Sequence, residues 1–322
     1  MIRHGAVVHA SGALEEELDH EGLRAALREP GARAWLDLEG ATPDEVAAVG
    51  ACFGFHPLAV EDAQNPDTRP TIEEYDDFLF VVTRGVNHNP GAAALDLVSL
   101  FVFLTDRLIV TVHGRPMRSI VAARERLRKH PELLGDGPDR LLHLLLDQIV
   151  DHYFPIVEAL EDRVEALEDE VFARPRPGVL ERTFLVRKEI VVLRRSLGPL
   201  REVIGNVMGG VPHVRAELRV FFRDVHDHVL RILDELETNR DIVAGLLESY
   251  LSQVNNRLGE VMKTLTALAT IGLPFTMVSG WFGMNFDMLP WTRYWWGALA
   301  ATGVMITISV TLFLFFRGRR WL

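Results

Sequence analysis

Four residues in the run FRDVHDH, Asp224, His226, Asp227 and His228, are of types that bind metal ions. Asp224 and His228 are four apart, so on a helix they share a face and offer an oxygen and a nitrogen to one ion. A catalytic metal needs further converging ligands, and the sequence identifies none. The two histidines are therefore read as solvated or interface residues, with a metalloenzyme as a subordinate alternative. No Gly-rich phosphate loop, GxSxG, HExxH or EF-hand pattern occurs, so no enzyme is expected. Cys52 is the only cysteine, which excludes a disulfide scaffold and a multi-cysteine metal site. A second pattern lies near the C-terminus. Gly259, Met262, Leu265, Ala269, Leu273 and Thr276 recur at three- and four-residue spacing and form one helical stripe. Such a stripe serves ordinary helix packing or lines a pore, and spacing alone leaves both open.

The elements that must carry these residues follow from hydropathy. Residues 264–286 and 294–316 contain no Asp, Glu, Lys or Arg. About 20 apolar residues cross a bilayer as a helix, and two such runs read as a transmembrane hairpin with spans of about 264–283 and 294–316. The chain carries a formal net charge of −11, which disfavours nucleic acid as a partner. Its C-terminal part differs. Residues 263–322 hold five basic residues, Lys263, Arg293, Arg317, Arg319 and Arg320, against the single acid Asp287. Basic residues at both outer ends of the hairpin place the N- and C-termini in the cytoplasm and the connection at about 283–293 outside. The first thirty residues have no apolar core of a signal peptide, which agrees with a cytoplasmic acidic portion.

That acidic portion divides by pattern. Residues 1–135 mix strand-type runs, AWLDL (34–38), FLFVVTRGV (78–86) and VSLFVFLTDRLIVTVHG (98–114), with helical ones, an α/β domain. Thr105-Asp106-Arg107 reads as a hairpin turn, and TPDEVAAVGACFG as a helix opened by Thr42 and Pro43. Residues 136–262 read as helical: one helix from Pro138 to about Phe172, a second over 179–207, and a long stalk helix from about 212 that enters the first span. A helix from 213 to 282 would be roughly 105 Å long, of which the bilayer takes about 30 Å. Two spans cannot enclose a pore, so transport requires an oligomer with one helix per subunit around an axis.

At the end of the first span stands Gly283-Met284-Asn285, followed by Phe286. The chain resembles the CorA magnesium transporter family, whose signature is this tripeptide at the end of the first of two C-terminal spans. The resemblance includes HPLAVEDAQNPDTRPTIEEYDDFLFVV (56–82), LLLDQIVDHYFPIVEALEDRVEALEDEVF (144–172), FFRDVHDHVLRILDELET (221–238), NNRLGEVMKTLTALATIGLPFT (255–276) and the basic tail RGRRWL. It implies a funnel-shaped homopentamer in the inner (plasma) membrane, with the first span lining the pore. It also implies gated influx of Mg2+, with Co2+ and sometimes Ni2+ accepted. Gly283, Met284 and Asn285 would form the selectivity filter. Gly259, Met262, Leu265, Ala269, Leu273 and Thr276 would line the pore or gate it, and Arg317, Arg319 and Arg320 would ring the cytoplasmic membrane face. Mg2+ dehydrates reluctantly, and a ring of neutral Asn285 amide oxygens accepts hydrogen bonds from its water shell without stripping it.

The resemblance further implies regulatory Mg2+ sites between neighbouring cytoplasmic domains, with Asp62 and Asp224 as the main pair and Glu61 and Asp147 contributing. Bound Mg2+ would offset carboxylate repulsion and hold the ring closed. The chain departs from the family pattern at Gly259, where many relatives have Asn, and at Leu273, where a Met is common. In the outer loop NFDMLPW the usual Pro-Glu is missing. Two further readings stand beside this one: a zinc transporter of the same superfamily, and a membrane-anchored metal sensor that transports nothing. All twelve histidines lie at or before position 228, so the spans offer Zn2+ no nitrogen ligand, which favours Mg2+.

Overall fold

The computed structural model describes residues 2–87, 95–173, 178–284 and 294–321. Packing separates Met1–Gly245 from Leu246–Leu322. In chain order the first unit runs β1 (Ile2–Val8), β2 (Leu14–Glu16), α1 (His20–Ala26), β3 (Arg33–Glu39), α2 (Pro43–Phe53), α3 (Pro57–Asp62), β4 (Thr71–Glu74), β5 (Leu79–Asn87), β6 (Asp96–Leu104) and β7 (Leu108–His113). Helices α4 (Arg118–Lys129), α5 (Glu132–Gly135), α6 (Pro138–Asp151), α7 (Phe154–Ala173) and α8 (Val179–Gly209) follow. A 3-10 turn (Ala216–Leu218) leads into α9 (Arg219–Phe282), which passes from the first unit into the second, and α10 (Gly297–Gly318) completes the second.

The seven strands lie in the order β2-β1-β3-β7-β6-β5-β4, with β3 and β7 parallel and every other neighbouring pair antiparallel. Strand alternation sends Leu36, Leu38, Val110 and Val112 to one face, where they pack with Val46 and Val49 of α2 and Val60 of α3. Phe55, Phe78, Phe80 and Phe103 extend this core, and the Phe55 and Phe103 rings stack at 4.4 Å. Each fully buried Leu or Phe side chain contributes roughly 2 kcal/mol through removal from water. Helix α2 starts as its sequence predicts. Thr42 and Glu45 form a capping box, and Gly54 ends the helix at φ 77°, a left-handed conformation that glycine adopts without strain.

The other face of the sheet carries charge. Asp37 and Thr111 are fully buried there and His113 nearly so. The Trp35 indole donates to Thr111 Oγ1 at 3.0 Å, and the Thr111 hydroxyl donates to Asp37 Oδ1 at 2.5 Å. Arg124 of α4 donates to Asp37 Oδ2 at 2.5 Å. His113 meets Asp37 Oδ1 through Nε2 at 3.1 Å and the Arg115 carbonyl through Nδ1 at 2.7 Å. Both partners only accept, so both ring nitrogens carry hydrogen and the ring is an imidazolium. Burial works to lower the His113 pKa, but the bond to Asp37 and its charge prevail and hold it above the ordinary 6.5. Burial likewise pushes Asp37 upward, and the His113 bond and charge, with Thr111 and Arg124, hold it below 3.8.

Two expectations about the helices are corrected. The helix expected from Pro138 to about Phe172 is two, because α6 stops at Asp151 and α7 begins at Phe154. Tyr153 lies in the break, fully buried, with its hydroxyl donating to the Arg84 carbonyl at 2.9 Å, so the chain turns to sink this ring beside β5. The helix expected from about 212 becomes α-helical only at Arg219. Buried Asp139, at the start of α6, accepts from the Arg215 backbone N–H at 3.0 Å and from its guanidinium through two bonds at 2.8 Å. His213, at φ 62°, pairs with Asp106 at 2.7 Å, so residues before α9 are held against the sheet and helix α6 rather than coiled. The pattern division near residue 135 is not a packing division, since α6 contacts β7, β5, β3 and β6.

Replacing Asp37 by Asn leaves a buried imidazolium and guanidinium without a counter-charge. We expect a loss of roughly 3 kcal/mol in denaturant unfolding followed by circular dichroism. In the wild type, the His113 contribution is complete below pH 6.5 and lost as pH rises through its raised value, while that of Asp37 is complete above pH 3.8 and lost as pH falls through its lowered value. His113→Gln should remove the alkaline arm of that profile.

Candidate metal centre and membrane helices

His143, Asp147 and Asp151 are spaced by four along α6 and its C-terminus, so they share one face. Asp224 and His228 have the same spacing on α9. One ligand atom each from Asp147, Asp151 and His228 lies within 4.8 Å of the other two, the one such group of three among the described residues. The Nδ1 atom of His228 is buried without a hydrogen-bond partner, and the ring meets Phe154 edge-on at 5.6 Å. An imidazole and two carboxylates gathered this closely form a candidate donor set for a cation. Partial burial, then the charge of Asp147, raises the Asp151 carboxyl above its usual value, with Asp224 adding to the shift. Burial lowers His143, whose ring packs edge-on against Phe222 at 5.2 Å. Oxygen donors suit Mg2+, and the nitrogen adds affinity for softer ions such as Co2+ or Zn2+.

The site residues expected from the sequence separate into groups. Asp147 falls within the cluster. Asp224 stands beside it, close enough to act on Asp151, but outside the three-atom group. His228, read as a solvated or interface residue, is in it. Asp151 was not expected at all, although its four-residue spacing from Asp147 is the signal that would have found it. Glu61 and Asp62 end α3, Glu61 exposed and Asp62 half-buried, and neither joins this group within one chain. Asp62 acts instead on Tyr75, whose hydroxyl is pushed up to about 12 by burial first, then by Glu73 and by Asp62.

In the second unit, α9 presents two faces. Ala267 and Pro274 are buried, with Lys263, Thr270, Ile271 and Val278 half-buried beside them. This face meets α10: the Ser309 hydroxyl donates to the Ile271 carbonyl at 3.0 Å, and Lys263 Nζ sits 5.5 Å from the Trp321 ring centre. Gly259, Met262, Leu265, Ala269, Leu273 and Thr276 are all exposed. At about 100° per residue most of them lie roughly half a turn from the α10-facing side. Gly283 keeps a helical bond, its N–H donating to the Ser279 carbonyl at 2.8 Å, and has no left-handed φ. A Cβ there would lie 3.1 Å from the Ser279 oxygen, so glycine supplies room for the helix end. Met284 is exposed beyond it. Asn285 and the loop acid Asp287 lie outside the described residues. Arg317, Arg319 and Arg320 are exposed at the end of α10, where the tail folds back so that Trp321 N–H donates to the Phe316 carbonyl at 2.9 Å.

Two helices are long and apolar enough to cross a bilayer, one of them continuous with the helix that carries His228, as an integral membrane protein requires, and the acidic α/β unit holds a group of side chains that could bind a metal ion. A family model described as CorA-like Mg2+ transporter protein matches residues 31–320. The cobalt/magnesium transport protein CorA of Thermotoga maritima is 36% identical over 298 residues, covering 92% of this chain and 85% of that protein. The zinc transport protein ZntB of Yersinia enterocolitica is 25% identical over 292 residues, 89% and 88% of the two chains. Among solved structures, the CorA magnesium transporter of Methanocaldococcus jannaschii matches the fold with a TM-score of 0.85 at 23% identity, over 100% of this chain and 99% of that one. The chain belongs to the CorA-like Mg2+ transporter family. It is a divalent metal ion transporter of the CorA superfamily.

The donor set predicts a metal-dependent split. His228→Ala should weaken Co2+ binding about tenfold and Mg2+ binding far less, whereas Asp147→Asn weakens both, read as metal-dependent shifts in thermal unfolding of the purified protein. An equal loss of both ions in His228→Ala would show that the imidazole is no ligand.

Proposed function

We propose that the protein is a gated Mg2+ channel, a homopentamer in the inner membrane that also accepts Co2+ and Ni2+ and closes when cytoplasmic Mg2+ is high. The observation that carries this reading is the exposed stripe from Gly259 to Thr276 on the side of α9 away from α10. A single chain leaves that stripe uncovered, and a ring of subunits turns it inward around an axis. Met262, Leu265 and Leu273 then form apolar constrictions that close by dewetting, and Thr276 adds one hydroxyl ring. Gly283, Met284 and Asn285 form the filter, where neutral amide oxygens hold hydrated Mg2+ weakly enough for it to leave. Both termini lie in the cytoplasm, with Arg317, Arg319 and Arg320 at the inner membrane face.

In this assembly Glu61 and Asp62 of one subunit oppose Asp147 and Asp224 of the next. Mg2+ bound among these carboxylates, with Asp151 and His228 behind them, links the subunits and stabilises the closed ring. Loss of the ion restores the repulsion among these carboxylates and loosens the interface. A second reading, Zn2+ transport, draws on His228 in the metal group and on the ZntB relative.

The deciding experiment is divalent flux into proteoliposomes with the ion set separately on each side. We expect saturable Mg2+ entry, suppressed by cytoplasmic-side Mg2+ and reduced at least about tenfold in Asn285→Ala. Asp62→Ala with Asp224→Ala should relieve that suppression. Proton-driven Zn2+ entry with little Mg2+ entry would move the protein to the zinc reading, and no flux of any divalent ion would leave a sensor.

A further inference from the structure

The parallel strands β3 and β7 are neighbours, yet their following helices go to opposite faces of the sheet. Helix α2 packs with Leu36, Leu38, Val110 and Val112, whereas α4 reaches the other face, where Arg124 holds Asp37. The crevice beyond the carboxyl ends of two such strands is the place where open α/β sheets bind ligands. Here it opens as a cavity of about 500 Å3, within the size range of small-molecule sites.

Its walls are of two kinds. Val46, Phe101 and Val112 line one part and are almost fully buried, giving an apolar floor with one aromatic ring. Arg84, Arg115 and Gln64 line the other. Arg84 forms no ion pair among the described residues, and its Nη2 donates to the Asp67 and Thr68 carbonyls at 3.0 and 3.3 Å, which fixes the guanidinium in place. Arg115 is held by Asp96 at 2.7 Å and by the Leu97 carbonyl at 2.9 Å. A preset guanidinium with no carboxylate partner among the described residues, lining the same cleft as a second one, suits a phosphate, whose oxygens accept in pairs. Asp96 and the exposed Asp67 limit the positive field, so one phosphate monoester fits better than a polyphosphate.

We propose that this cleft binds a nucleotide-sized organic monophosphate, with its phosphate on Arg84 and Arg115 and its ring on the floor of Val46, Phe101 and Val112. The cleft contains none of the residues assigned to the pore or the metal centre, so it stands or falls separately from the channel reading. Its rim residues Gln64 and Asp67 belong to the loop that follows Asp62.

The test is calorimetric titration of the purified full-length protein with adenosine monophosphate, which chelates divalent ions weakly. Adenosine and inorganic phosphate serve as separate arms. We expect saturable binding with a Kd on the order of 100 µM, and each half-ligand weaker by about tenfold or more. Arg84→Gln should weaken binding by about tenfold. Because Arg84 also holds the 67–68 loop, Ala41→Trp is the second variant. It fills the cleft from its half-exposed rim and removes no hydrogen bond given by a side chain. It should abolish binding while the variant still unfolds cooperatively on heating, which shows that it is folded. No saturation by the nucleotide, equal affinity in Ala41→Trp, or inorganic phosphate binding as tightly as the nucleotide would each overturn the proposal.

Discussion

The fork between Asp139 and Arg215 sets how the long helix starts. It joins the first turn of α6 to the segment before α9 through two side-chain bonds and one backbone bond. Side chains on two packed helices meet only if the helices keep their register. Asp147 and Asp151 come from α6 and its end, and His228 comes from the third turn of α9. The candidate metal group lies between the two elements that this fork joins. Asp139 is almost fully buried while the Arg215 side chain is 47% exposed, so the carboxylate end of the fork is shielded and its guanidinium end still meets solvent.

The sheet has two faces with different tasks. One holds the phenylalanine-rich core. The other carries an aspartate, an imidazolium and an arginine in a connected set. Desolvation penalises each of those charges singly, and the bonds among them offset the penalty. The set ties β3 and β7 to α4, and it does so at the strand ends where the chain leaves for opposite faces. The rigid edge of the cleft and the placement of α4 thus share one cause.

Much of the fold was legible in the sequence where a single element carried its own signal. The strands around 34–38, 78–86 and 98–114, the turn at Thr105-Asp106-Arg107 and the start of α2 are all read from local chemistry, and Thr105 N–H does close that turn on the Leu108 carbonyl at 2.8 Å. β1 carried no such signal. Its run IRHGAVV mixes charge with glycine, and it is a strand because β3 pairs along its whole length. Gly5 within it is required by distance, since a Cβ would sit 2.0 Å from the Leu18 carbonyl oxygen. The break at Tyr153 did leave a local mark, Pro155 in the first turn of α7, which lacks the N–H that would continue a helix from α6. What stayed hidden is the pocket that receives the Tyr153 ring.

By itself the sequence determined the two apolar spans, the acidic α/β unit, the Gly-Met-Asn run and hence the family, because length, charge and motif are properties of the chain read in one dimension. It also set the periodicity of the stripe on α9. Tertiary structure alone decided which side of that helix α10 covers, since the small and hydroxyl-bearing residues that permit contact occur on more than one face and only the partner helix selects among them. It alone decided the metal group as well. The helical period joins Asp147 to Asp151 and Asp224 to His228, but the distance between those pairs depends on how two helices pack, and no local pattern records that.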